Sequence, residues 1–271
     1  MDRLPGILRK LGATSRDFAR YLDPRGLGNV VARETDFEHC PRPVLLLPGF
    51  LASRRGLRVL ERRLRRDGFG VFSLNLGGLF GTFNTRSIEE SALLVREKVE
   101  RLYQRFDLGP LTIIGHSKGG LIGRYYVKRL GGHQRCVGLV TLGTPHHGTP
   151  SAYVGAALTG LFAPSIWQLM PMSPFIRRLK EGPFPENVHF ASICSRADRV
   201  VPWPSGLLEP NGCDHLVNVE VPDIAHHEFV TRKGAYFAAR TQLETAYARA
   251  LVRGPSPLAD ALAALTEDHA A

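Results

Sequence analysis

Gly115-His116-Ser117-Lys118-Gly119-Gly120 sets a serine between glycines, a spacing suited to covalent chemistry. The apolar run Leu111-Thr-Ile-Ile leads into it, and Leu121, Ile122, Tyr125 and Leu130 follow at helical spacing. A strand that turns sharply into a helix would put Ser117 at the apex. Its backbone would be strained, its hydroxyl exposed and the positive end of the helix beneath it. Gly115 and Gly119 serve that turn sterically, because side chains there would collide as the chain reverses. The rival interpretation is a structural Ser-Gly turn. The strand before and the amphipathic helix after favour a nucleophile.

A hydroxyl attacking an acyl carbon needs two backbone N–H groups aimed at the developing oxyanion. One comes from the residue after the nucleophile, Lys118. The other comes from the loop after an early strand. Here Val44-Leu-Leu-Leu-Pro48-Gly49-Phe50 is a buried strand that breaks into a Gly-containing loop, which makes Phe50 the second donor. Pro-Gly alone would mark only a turn; the serine motif downstream gives it a partner.

These runs resemble the α/β-hydrolase family, and within it the bacterial lipases and esterases. The resemblance rests on Leu47-Pro48-Gly49-Phe50, on Gly115-His-Ser117-Lys-Gly119-Gly120 and on Leu142-Gly-Thr144-Pro145-His-His-Gly148-Thr149, with a weaker match at Asp198-Arg-Val-Val-Pro202. It covers residues 42 to 252. Many lipases of this group have His before the oxyanion-loop Gly, where this chain has Pro48; the backbone donor survives, and any role of that His side chain does not.

The triad order implied by the resemblance is Ser, acid, His. Asp198 is the acid of choice, since it follows the strand-like Val188-His-Phe-Ala-Ser-Ile-Cys194 and precedes Val200-Val201-Pro202. A carboxylate there would hold the imidazole in the right tautomer. Asp214 and Asp223 are the alternatives, and a surface Asp198 paired with Arg196 or Arg199 is the bland one. The base must come from Val221-Pro-Asp-Ile-Ala-His226-His227-Glu-Phe229-Val230. The family sets apolar anchors three and four residues after its catalytic His, which favours His226, with Phe229 and Val230, over His227. His146 and His147 lie in a turn the family shares, and no chemistry is inferred for them.

No His-Glu-x-x-His or Cys-x-x-Cys pattern supports a metal, and no phosphate loop occurs, so no cofactor is expected. Cys40, Cys136, Cys194 and Cys213 are widely spaced; Cys136 and Cys194 read as buried thiols, and a Cys194–Cys213 bridge is left open. Of the net charge of +10, much comes from Arg54, Arg55, Arg58, Arg62, Arg63, Arg65 and Arg66. Leu57, Val59, Leu60 and Leu64 give that helix an apolar face, so most of the arginines should coat its solvated side. No nucleic-acid module accompanies them; weak attraction to anionic lipid ranks next.

The chain length of 271 residues suits one α/β domain with a modest insertion. Strands are expected near 43–48, 70–75, 111–115, 137–142, 188–194 and 215–221, alternating with helices around a mainly parallel sheet. Ser87 and Glu90 form a capping-box signature. Residues 1–41 are an N-terminal segment and 253–271 an Ala-rich tail. The start lacks the apolar run of a signal peptide, so a cytoplasmic protein is the default. Leu4, Ile7, Leu8 and Leu11 beside basic residues could nonetheless lie on a membrane surface.

An apolar, Pro-interrupted insertion at about 149–186 reads equally as a cap over the acyl site or as a packed crossover. Leu51, Phe80 and Phe83 in loops, with Trp167, Leu169, Met170 and Phe175 from the insertion, would line an apolar cleft for an acyl chain. The resemblance therefore implies a serine hydrolase of carboxylic esters with lipid substrates. An acyltransferase using the same triad, or a non-catalytic binding scaffold, are the other classes.

Overall fold

Every residue of Pro43-Val-Leu-Leu-Leu47 is buried, as a strand held between two helical layers requires. In the computed structural model, which describes residues 37–38, 40, 42–78, 83–106, 108–210 and 212–254, this strand is β1 (Pro43–Leu47). The others are β2 (Gly70–Ser73), β3 (Leu111–His116), β4 (Cys136–Leu142), β5 (His189–Cys194) and β6 (Leu216–Glu220). Their spatial order is β2-β1-β3-β4-β5-β6, and each neighbouring pair is parallel. The six strands expected from the sequence are these six, with ends shifted by no more than two residues.

Side chains alternate across β1. Val44 and Leu46 face the layer formed by α1 (Arg58–Arg66) and α8 (Lys233–Arg253), where Leu60, Leu64, Ala239 and Leu243 are buried. Leu45 and Leu47 face α2 (Ile88–Arg105) and α3 (Lys118–Arg129), against Val95, Val99, Leu121 and Ile122. Strand period two and helix period 3.6 thus agree on one doubly covered sheet. The carboxyl ends of β1, β3, β4, β5 and β6 carry the loops that hold Phe50, Ser117, Thr144, Asp198 and His226. That edge is where ligands of open α/β sheets bind.

The helix starts follow local chemistry. Ser87 Oγ accepts the Glu90 N–H at 3.2 Å, and Glu90 Oε2 accepts the Ser87 N–H at 3.0 Å, completing the capping box before α2. The arginines of α1 and of the 3₁₀ turn before it (Arg54–Leu57) divide into two groups. Arg55, Arg58, Arg62 and Arg66 are exposed, as expected. Arg54 donates to Ser73 Oγ at 2.7 Å, Arg65 to the Val71 carbonyl at 2.7 Å, and Arg63 lies over the Tyr236 ring. These three tie the helix to β2 and α8.

The insertion consists of α4 (Ser151–Thr159), α5 (Ser165–Gln168) and α6 (Pro174–Lys180). One side packs: Ala152, Ala156, Ile166, Leu169, Phe175, Ile176 and Leu179 enter the core. The other side stays open, with Tyr153, Val154, Leu158, Leu161, Phe162, Trp167 and Met172 exposed. Two anchors fix it. Ser151 Oγ donates to the Val200 carbonyl at 2.8 Å, and Thr149 Oγ1 donates to the same oxygen. At its middle helix Ser165 Oγ donates to the Thr85 carbonyl at 3.1 Å, while Gln168 Oε1 accepts the Ile88 N–H at 2.7 Å at the start of α2.

Cys40, Cys136, Cys194 and Cys213 are free thiols, so Cys194 and Cys213 do not pair. Among the described residues no helix is long and apolar enough to cross a membrane. The expectations for Leu4, Ile7, Leu8 and Leu11 and for the tail beyond Gly254 lie outside the described residues. Replacing Ser87 with Ala should remove one side of the capping box and cost about 1 kcal/mol. Urea denaturation should show this as a lower midpoint with an unchanged slope.

Candidate active site

Ser117 stands between β3 and α3 with φ 53° and ψ −123°, a left-handed backbone that few non-glycine residues adopt. It is the N-cap of α3 and is 8% exposed. Its N–H donates to the Leu142 carbonyl at 2.9 Å, and its carbonyl accepts from Thr144 Oγ1 at 2.9 Å. Neighbouring glycines make this possible. A Cβ on Gly115 would sit 2.4 Å from the Gly120 nitrogen; one on Gly119 would sit 2.2 Å from the Leu47 carbonyl oxygen and 2.8 Å from that of Pro48. The start of α3, with the Lys118 N–H, is thereby pressed against the loop that carries Phe50. Phe50 itself is half-buried against the core.

Asp198 lies beyond β5 and is 5% exposed. Its Oδ1 accepts the N–H groups of Val200 at 2.8 Å and Val201 at 2.9 Å, which fixes the carboxylate plane. Its Oδ2 accepts Nδ1–H of His226 at 2.8 Å. Because an ionised carboxylate can only accept, Nδ1 of His226 carries a proton, which leaves Nε2 as the nitrogen that can serve as base. Of the two adjacent histidines, it is His226 that meets Asp198. The alternative acids lie elsewhere: Asp214 is exposed and paired with Arg249 at 3.1 Å, and Asp223 is exposed.

The loops holding Asp198 and His226 are stitched together. Ser195 Oγ accepts the N–H of Ala197 and of Ile224, both at 3.2 Å. Glu228 accepts the Ala225 N–H at 3.0 Å, closing the 3₁₀ turn His226–Val230. Phe229 and Val230 are buried beneath it. Gly143 (φ 54°) lacks a side chain where the Phe229 ring and Asp198 Oδ2 would leave only 2.9 and 3.2 Å for one.

Three residues support this site without any sequence signal of their own. His116, the unspecified position before Ser117, is fully buried, and its Nε2–H donates to the His226 carbonyl at 2.9 Å. Burial first, and then the neighbouring His226, push the His116 imidazole down to about 3, so it stays neutral. Asn84 Nδ2 donates to the Pro48 carbonyl at 2.9 Å, holding the peptide just before Gly49-Phe50. Lys118 was expected to act through its backbone alone, yet its buried ammonium donates to the Asn84 carbonyl at 3.0 Å, Asn84 Oδ1 at 2.9 Å and the Arg86 carbonyl at 2.6 Å. Burial pushes this amine well below the usual lysine range. Three acceptors match the three N–H bonds of the charged form, whereas a neutral amine would turn its lone pair toward an oxygen. One residue therefore supplies a backbone N–H beside Ser117 and a clamp on the loop opposite.

The residues expected to contact an acyl chain are dispersed. Leu51 is half-buried with φ 55°, and Phe83 is half-buried in its loop. Trp167 is 54% exposed, and its Nε1–H donates to the Gly160 carbonyl at 3.0 Å. Leu169 is in the core, Met170 is half-buried against it, and Phe175 is buried there too. Phe80 lies outside the described residues. His146 and His147 have structural partners, the former Thr141 Oγ1 at 3.1 Å and the latter the Leu207 carbonyl at 3.1 Å.

Residues 42–159 match the family model described as the alpha/beta hydrolase fold. Solved structures of similar shape include the mature lipase BlEst2 of Bacillus licheniformis, with 12% identity, 78% of this chain and 94% of that one covered, and a TM-score of 0.62. Lipase B of Aspergillus fumigatus shares 16% identity over 75% of this chain and 52% of that one, with a TM-score of 0.61. A monoacylglycerol lipase of Paleococcus ferrophilus shares 16% identity over 78% and 96%, with a TM-score of 0.55. No curated protein sequence matches significantly. The chain has the α/β-hydrolase fold, in a form like that of lipases and esterases.

Replacing Lys118 with Met would keep the volume and orphan three buried oxygens. Stability should fall by about 3 kcal/mol or more, measured as a lower urea midpoint. A second expectation concerns acid. His116 and His146 are held neutral by burial, His116 down to about 3, whereas both would protonate near 6.5 once unfolded. Stability is then complete above about pH 6.5 and is lost as pH falls below it, by roughly 1.4 kcal/mol per pH unit for each histidine. Between pH 6 and 4, His116→Gln should show a slope of unfolding free energy against pH that is about one proton shallower than wild type. Identical slopes would refute this.

Proposed function

We propose that this protein hydrolyses carboxylic esters through an acyl-enzyme on Ser117. The observation that carries the proposal is the 2.8 Å bond between Asp198 and His226, at the same sheet edge as the strained Ser117. His226 Nε2 takes the proton of the Ser117 hydroxyl as Oγ attacks the ester carbonyl. The tetrahedral oxyanion is held by the N–H groups of Phe50 and Lys118, with the N-terminus of α3 adding a favourable field. Collapse breaks the ester C–O bond, and the imidazolium returns its proton to the departing alcohol. Water, activated by His226, then attacks the acyl carbon, and Ser117 leaves with the proton. Asp198 stays ionised throughout and orients the ring. None of these steps requires a cofactor.

For substrate we propose esters of medium or long acyl chains presented at a lipid surface. The support is the open side of the insertion, where Leu158, Leu161, Phe162, Trp167 and Met172 are between 54% and 92% exposed. Apolar surface of this kind favours a partner that water does not disfavour, such as a lipid aggregate or the face of a membrane. The lipase structures of like shape agree in fold with such a role.

A fluorophosphonate probe should label the wild type and leave Ser117→Ala unmodified. Asp198→Asn should keep the fold and lower kcat by about 10⁴-fold. Equal hydrolysis of p-nitrophenyl butyrate by wild type and Ser117→Ala would end the catalytic assignment. A chain-length series of p-nitrophenyl esters, below and above their aggregation points, tests the substrate. Strict acetate preference with no rise at the interface would restrict the enzyme to short soluble esters.

A further inference from the structure

A cavity of about 230 Å³ is lined by none of Ser117, Asp198 or His226. Arg124 forms part of its wall, seven residues beyond Ser117 on α3 and therefore about 10 Å along the helix. Lys128 and Lys180 also line it, as does His147. The single acid in the lining is Glu209, already taken by Lys180 at 3.0 Å and His147 at 3.7 Å.

Arg124 is the cation left over. Its Nη1 reaches His146 Nδ1 at a long 3.4 Å, and its Nε is buried without a partner. Among the described residues no carboxylate comes within ion-pair distance of it. His146 cannot compensate the charge, since its Nε2–H is given to Thr141 Oγ1 and it stays neutral. Lys128, whose ammonium donates to the carbonyls of Leu179, Lys180 and Gly182, adds to the positive field. Burial dominates the ionisation of both groups, and for Arg124 the nearby charge of Glu209 opposes it. Burial and then Arg124 pull Lys128 down to about 8, and burial pulls Arg124 down to about 10. Leaving a desolvated guanidinium unpaired is costly unless an anion completes it.

The remaining wall is apolar. Phe184, Phe190 and Leu208 are buried, with the two rings 4.5 Å apart and Arg124 over Phe190. A volume of 230 Å³ equals roughly eight waters, which sets the size of an occupant. Glu209 at the wall disfavours a doubly charged group, and the aromatic face favours a hydrocarbon body. We propose that this cavity binds a small organic monocarboxylate, with its charge on Arg124 and its apolar body against Phe184, Phe190 and Leu208. The site does not depend on Ser117, so it stands or falls separately from the esterase assignment.

Calorimetric titration of the full chain carrying Ser117→Ala tests it, using hexanoate, hexanol and inorganic phosphate. Hexanoate should bind saturably at one site, with hexanol and phosphate each at least about tenfold weaker. Adding Arg124→Met should weaken hexanoate about tenfold or more. Lys180→Gln, at a half-exposed position, should weaken it about threefold and decides the matter if the Arg124 variant fails to fold. The proposal is overturned by no saturable hexanoate binding, by phosphate or hexanol binding as tightly, or by hexanoate affinity unchanged in the folded variants. That last result would move the ligand to another pocket.

Discussion

The structure depends on backbone surfaces meeting where no side chain can stand. Gly119 lets the first turn of α3 touch the end of β1 at a separation that a methyl group would violate, and Gly120 does the same against Thr144. A side chain on Gly119 would push the helix away from β1, and one on Gly120 would push it away from β4 and the turn after it. The contact brings three parts of the chain to one point: the strained serine, the Pro48–Phe50 loop and the turn after β4. It also explains why a left-handed serine persists. The strain at Ser117 is of order 1–3 kcal/mol and is overdetermined by the strand bond to Leu142, the Thr144 hydroxyl and the helix that starts there.

A second layer of polar contacts turns proximity into orientation. Asp198 is fixed by two backbone donors, His226 by Asp198 through its ring and by His116 through its carbonyl, and the Phe50 loop by Asn84 under the Lys118 ammonium. These partners come from β3, the β2–α2 loop and the β5–α7 loop, where α7 is Trp203–Gly206. Val201, His116, Asn84 and Lys118 among them are buried, and hydrogen bonds in such surroundings hold direction better than exposed ones. Preorganisation of this kind is what electrostatic catalysis demands of a scaffold.

The sheet was legible in the sequence because its strands are continuous apolar runs such as Val44-Leu-Leu-Leu47 and Leu111-Thr-Ile-Ile114, bounded by Gly or Pro. Ser117 was legible because glycine spacing encodes a backbone conformation directly. Asp198 and His226 rested on chain order and on the apolar anchors Phe229 and Val230, which are indeed buried. Asn84, the Lys118 ammonium and the His116 ring had no such signal. Their partners lie 36, 34 and 110 residues away, and nothing in residue type announces a tertiary hydrogen bond. The arginines of α1 and of the turn before it failed in the same way: periodicity separated the apolar face from the polar one but not Arg54 and Arg65, which reach back to β2, from their solvated neighbours. Composition alone left the insertion undecided between cap and core; one of its sides packs into the core and the other is exposed.

Anchors at both ends of residues 149–168 give that part of the insertion the mechanics of an arch. Thr149 and Ser151 grip the Val200 carbonyl at one foot, while Ser165 and Gln168 grip Thr85 and the start of α2 at the other. An arch held at both feet bows at its crown instead of swinging like a door. The crown here is the stretch around Gly160, Leu161 and Phe162, the most apolar and exposed part of the span. The foot at Val200 adjoins Asp198, which means the same backbone segment that steadies the carboxylate also bears the thrust of the arch.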